Sequence, residues 1–76
     1  MELNKKVEQL VKEEIPDARI TFDDFKRDGK HFFLTVTSAA FRDLSLVEQH
    51  RTVMRSLKKL IDSGELHAIK IKTHTP

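Results

Sequence analysis

"SLVEQHRTVMRSLKKLIDSGELHAIKIK", residues 45–72, decides the architecture of this 76-residue chain. In its first part Leu46, Val47, His50, Val53, Met54, Leu57, Leu60 and Ile61 fall at steps of three and four, one continuous helical stripe. Ser45 and Glu48 have capping-box spacing, in which the hydroxyl accepts from the third helical amide and the carboxylate reaches back. Gly64 stands where a left-handed C-terminal cap is wanted. The spacing predicts a helix over residues 46–63. From Leu66 to Lys72 the period changes to two, with Ile69 and Ile71 on one parity and Ala68, Lys70 and Lys72 on the other. That alternation is the pattern of a half-buried strand. Its apolar parity is headed by His67, an ionisable ring where an aliphatic side chain would be expected.

Upstream, "HFFLTVT" (residues 31–37) is rich in aromatic and β-branched side chains and reads as a strand. A strand, a long helix and a second strand make a crossover unit, so the last strand is predicted parallel to this one, in the right-handed sense. His31 and His67 would then begin two strands at one edge of the sheet, and directly paired strands lie about 4.8 Å apart. Further back, Asp28-Gly29 suits a type I′ hairpin turn. Arg19 to Phe25 alternates as a strand, and Leu3, Val7, Leu10 and Val11 mark a helix over residues 2–14 that Pro16 ends. The predicted order is α-β-β-α-β. It describes an α+β two-layer sandwich: one domain over residues 1–76, a three-stranded mixed sheet and both helices on one face.

Charged residues make up 34% of the chain and hydrophobic ones 38%. Residues 1–38 hold seven Lys/Arg against eight Asp/Glu, and residues 39–76 seven against four, for a net charge of +2. Such a surplus permits an anionic partner without demanding one. No apolar run is long enough to span a bilayer, so no membrane association is expected. The acids throughout "MELNKKVEQLVKEE" argue against a secretory signal. The expected location is the cytoplasm, with a mitochondrial one left open should a transit peptide have been removed. The absence of cysteine rules out disulfides, and any thiolate for a metal must come from elsewhere.

Imidazole suits zinc, iron and copper, and histidine replaces cysteine on one iron of a Rieske-type iron–sulfur centre. His67 and His31 are therefore candidate metal ligands, the competing reading being hydrogen-bonding surface residues at strand ends. His50, on the helical stripe, reads as a packer at the core edge, and His74 as a solvated tail residue. Catalysis finds no support. Ser38, Ser45, Ser56 and Ser63 fall at turn, cap or exposed helical positions, and Asp23 and Asp24 point to opposite strand faces. Gly29 and Gly64 are the only glycines, so neither a P-loop nor a dinucleotide fingerprint exists. A non-enzymatic role is expected. Arg51, Arg55, Lys58 and Lys59 on the second helix, with Lys70 and Lys72 on the last strand, form a candidate basic strip for a nucleic-acid backbone. The alternative is a set of solubilising charges, with Glu48–Arg51 and Lys58–Asp62 as helical neighbours.

Three segments in order, "DGKHFFLTV" (28–36), "VTSAAFRDLSLVEQHRTVMRSL" (36–57) and "LHAIKIKTHTP" (66–76), resemble the BolA-like family. They carry its V-x-S-x-x-F entry to the second helix, its H-R-x-V segment and its closing H-A-[LI]-x-[IL]-x-[TS]-x-[TP]. Asp43, Gln49 and Met54 depart from it, standing where glycine, arginine, and tyrosine or histidine are frequent. The resemblance implies a KH-like (class II) fold, although the G-x-x-G backbone clamp of KH modules is missing. It also implies a partner, a monothiol glutaredoxin, with which such proteins share a 2Fe–2S cluster in cluster trafficking or iron regulation. The family's ligand in the closing motif maps onto His67. The second, from the hairpin region, maps onto His31, which places the chain with the histidine-ligand subgroup. The thiolates would come from the glutaredoxin cysteine and bound glutathione, so no cofactor is expected on the isolated chain. The alternative it implies is a transcriptional regulator that touches DNA around the second helix and last strand. A homodimer is left open.

Overall fold

The computed structural model describes residues 2–24 and 31–76. The chain runs through α1 (Glu2–Glu14), β1 (Arg19–Asp23), β2 (His31–Thr37), a 3₁₀ turn (Ala39–Phe41), α2 (Leu46–Ser56), α3 (Lys58–Asp62) and β3 (Ala68–His74). The expected α-β-β-α-β order is observed, with the second helix in two pieces. The Asp28-Gly29 turn and the Phe25 end of the first strand lie outside the described residues.

The sheet order is β1-β2-β3, with β1 antiparallel and β3 parallel to β2. Strand alternation sorts its side chains cleanly. Ile20, Phe22, Phe32, Leu34, Val36, Ile69 and Ile71 share the face that packs against the helices, and Phe32, Leu34 and Val36 of the central strand are fully buried there. Phe22 stacks diagonally on Phe32 with ring centroids 4.7 Å apart. From above, α1 supplies Val7 and Val11, both 0% exposed, one helical turn apart. Val53, Leu57 and Leu60 complete the core at steps of four and three. The opposite sheet face is polar, carrying Arg19, Thr21, Thr35, Lys70 and Lys72.

The single helix expected over 46–63 is interrupted at Leu57, whose φ of −98° and ψ of 4° leave the helical well. Hydrogen bonding continues across it, from Leu57 N–H to Val53 O (3.2 Å) and from Ile61 N–H to Leu57 O (3.1 Å). A local cause is visible. The Ser56 hydroxyl donates to the same Val53 carbonyl at 2.6 Å, and a serine bonded back to its own helix bends it. Ser56 is therefore buried, not at an exposed helical position as its sequence context suggested.

The apolar stripe also needs correction. Leu46, Val47 and Met54 are 63%, 59% and 39% exposed. The three-stranded sheet accommodates the narrow seam through Val53, Leu57 and Leu60, and the flank of the stripe is left in solvent.

The start of the second helix is held by Asp17 and Gln49. Asp17 accepts from the Ser38 hydroxyl and from the Ala39 N–H (2.9 Å), tying the α1–β1 turn to the 3₁₀ turn. Gln49, at a position where the sequence suggested a surface contact, turns inward. Its Nε2 donates to Phe41 O (3.1 Å) and Leu44 O (2.9 Å), while its Oε1 accepts from the Thr73 hydroxyl of β3. Of the expected capping box only the hydroxyl half forms, with Glu48 N–H donating to Ser45 Oγ at 3.2 Å.

Hydrogen bonds from Ser38 first, then from the Ala39 amide, hold the Asp17 carboxyl below its ordinary 3.8. The Lys6 ammonium does the same to Glu65, ordinarily 4.5. The unfolded chain therefore takes up these protons first as pH falls. Their stabilisation is complete above the ordinary values and is lost as pH drops through the lowered folded ones. The urea midpoint should fall below about pH 4.5, and Asp17→Asn should make that fall shallower. An identical acid limb in the variant would remove Asp17 from the account.

Candidate metal-ligand edge

His31 opens β2, and its partner in the parallel register is Ala68, the first residue of β3. His67 is the residue before Ala68. It sits just outside the strand rather than beginning it, because the ladder starts one residue later and runs on to His74. His74 is thus a strand residue, exposed in its side chain, whose carbonyl accepts from Ser38 N–H at 3.0 Å. The two candidate ligands, 36 residues apart in sequence, end up at adjoining strand ends, as the right-handed path through the second helix requires. They line one surface depression of about 360 Å³ together with Phe32, Met54, Ile69 and Lys70. His31 is half-buried and His67 exposed.

The short segment presenting His67 is fixed from several sides. Gly64 takes φ +81°, the left-handed cap that its position predicted. A Cβ built there would lie 3.9 Å from His67 Cε1, so the imidazole rests over the turn. Leu66 is buried and its N–H donates to Leu60 O at 3.1 Å. Glu65 pairs with Lys6 of α1 at 2.8 Å, and its N–H donates to Ser63 Oγ. Gly64→Ala meets only ordinary contact with the ring, so its expected cost of about 1–2 kcal/mol is purely conformational. Equal urea midpoints for Gly64→Ala and the parent chain would contradict this.

Among the described residues, no three His, Cys, Asp or Glu side chains group closely enough to hold a metal. The histidine pair is at most half of a four-donor site. His50 is half-buried on α2 and does not line the depression. Met54, which does, was not legible as a site residue. The helical stripe assigns it to the core, and only its observed exposure separates it from Val53.

The six basic candidates do not share one surface. Arg55, Lys58 and Lys59 line a depression of about 380 Å³ with Glu13, Glu14 and Asp62, and Lys58 pairs with Asp62 at 2.8 Å. That contact raises the Lys58 ammonium above its usual range, first through the hydrogen bond and then through the charge. Arg51 is exposed on α2. Lys70 and Lys72 are in register with Phe33 and Thr35, on the sheet face turned away from the helices.

None of the described helices is long and apolar enough to cross a membrane. Residues 6–76 match the family model for BolA-like proteins. A Rickettsia prowazekii protein is 33% identical over 69 residues, spanning 91% of this chain and 88% of its own length. The solved structure of BolA1 from Arabidopsis thaliana superimposes with a TM-score of 0.82 at 28% identity, covering 95% of this chain and 89% of that one. The BolA domain of SufE1 from the same plant gives 0.80 at 28% identity, covering 95% and 90%. Matched along nearly all of its length in sequence, and in a fold that sets a histidine before the last parallel strand, the chain belongs to the BolA-like protein family.

Proposed function

We propose that this protein is an adaptor that docks on a monothiol glutaredoxin and, through His67 and His31, supplies ligands to a shared 2Fe–2S cluster. The observation that carries the reading is the register of His31 with Ala68, which sets the two imidazoles at neighbouring ends of paired parallel strands. The donor set fits a half-site. Two nitrogen donors suffice for one iron of a mixed cluster, the chain has no cysteine, and no third His, Asp or Glu joins the pair among the described residues. The remaining donors, the glutaredoxin cysteine and glutathione, are sulfur ligands of the partner side. Exposure of His67 at the sheet edge leaves room for a second protein, while the sheet and the Gly64 turn hold the ligand in place. The cluster is cargo to be passed on or a signal of iron status. BolA-family proteins are generally non-catalytic, and this role needs no catalytic residue.

A DNA-binding regulator built on the basic residues is the weaker reading, since Arg55, Lys58 and Lys59 face acidic neighbours and Lys70 and Lys72 lie on the other side of the sheet.

The test is to add the chain to a cluster-loaded monothiol glutaredoxin. The expected result is a changed visible circular dichroism spectrum and co-elution of the two proteins with iron. A spectrum that stays that of the glutaredoxin alone would overturn the proposal.

A further inference from the structure

The chain has no cysteine and two methionines, so apart from Met1 its only sulfur is that of Met54. This sulfur lies on the rim of the depression that holds two of the four histidines. Met54 is also exposed where a stripe residue would have been buried. Core packing does not account for its place.

A thioether is an uncharged, soft donor. It adds little to the binding of hard cations and favours copper(I), which imidazole also accepts. Copper(I) is content with two or three donors, whereas zinc in proteins takes four, usually with an anionic group among them. Here three neutral donors line one depression, and no further His, Asp or Glu completes a larger set among the described residues. The Lys70 ammonium lines the same depression. Its repulsion is twice as large for a divalent ion as for a monovalent one, because Coulomb energy scales with the charge. Methionine has three rotatable bonds, so its sulfur can reach a ring-bound ion without backbone movement.

We infer that His31, Met54 and His67 form a binding site for one copper(I) ion, held by this chain alone. The site uses the imidazoles invoked for the cluster but needs neither glutaredoxin nor iron, so the two readings fail separately.

The experiment is an anaerobic titration of the isolated chain with copper(I) buffered by bicinchoninate, run on the parent chain, Met54→Leu and His67→Ala. Leucine keeps the volume and removes the sulfur. The parent chain should take up one equivalent. Met54→Leu should bind at least about tenfold more weakly, the lower end of what lost support at a metal site costs, with an unchanged urea midpoint and unchanged zinc uptake. Copper X-ray absorption should show one sulfur scatterer in the parent chain and none in Met54→Leu. No uptake in competition with bicinchoninate would overturn the inference. So would equal affinity in Met54→Leu, or a copper site without sulfur.

Discussion

Alanine at His67 is expected to strip most of the cluster from a reconstituted complex with a monothiol glutaredoxin. Even supporting groups behind a metal ligand are worth about 10–100-fold in affinity, and a direct ligand at least as much. Loss should show as collapse of the visible circular dichroism bands and as iron that no longer co-elutes. The variant itself should fold normally, because His67 is exposed and lies outside the β3 ladder. His31→Ala should have a smaller effect, increasing cluster lability rather than abolishing binding. It opens the central strand next to a segment that can bring another donor. An unchanged spectrum for His67→Ala would remove this residue from the coordination sphere and the proposed function with it.

The largest effect on stability is expected at Leu57. It is 0% exposed at the junction of α2 and α3, with Val53 and Leu60 on either side of the seam. Truncation of a fully buried leucine to alanine costs about 2–5 kcal/mol. A chain of 76 residues at about 0.05–0.15 kcal/mol per residue has only about 4–11 kcal/mol in total. Leu57→Ala should thus lower the urea midpoint by a large fraction of its value at an unchanged slope. Met54→Ala, on the same sequence stripe but 39% exposed, should shift stability by only about 0.5 kcal/mol. Equal losses at the two positions would mean that Met54 packs as the helical period suggests, contrary to the structure.

That contrast shows what the sequence could and could not say. Period and turn chemistry placed the bounds of α1 and β2, the left-handed Gly64 and the parallel crossover, because each is a local pattern or a topological rule. The BolA-like resemblance pointed to the same architecture. The break at Leu57 was not legible, since it turns on a serine hydroxyl competing for one carbonyl. Nor was the exposed flank of the second helix. A helical wheel shows which residues share a side, whereas the width of the sheet decides how many are covered. Gln49 was misplaced for a related reason: its amide reaches two loop carbonyls and Thr73, partners that only the folded chain brings near. The basic residues illustrate the same limit. Lys70 and Lys72 follow the strand alternation as read, but which sheet face the helices cover, and hence the separation from Arg55 and Lys59, is a tertiary fact.

Nitrogen coordination of the shared cluster can be observed without mutation. The chain is produced with ¹⁵N-histidine, combined with unlabelled glutaredoxin and the cluster, reduced by one electron and examined by pulsed electron paramagnetic resonance. Strongly coupled ¹⁵N from this chain is the predicted result, lost in His67→Ala. A reduced cluster in the stable complex whose only couplings come from unlabelled nitrogen would show that the histidine edge is not where the cluster is held.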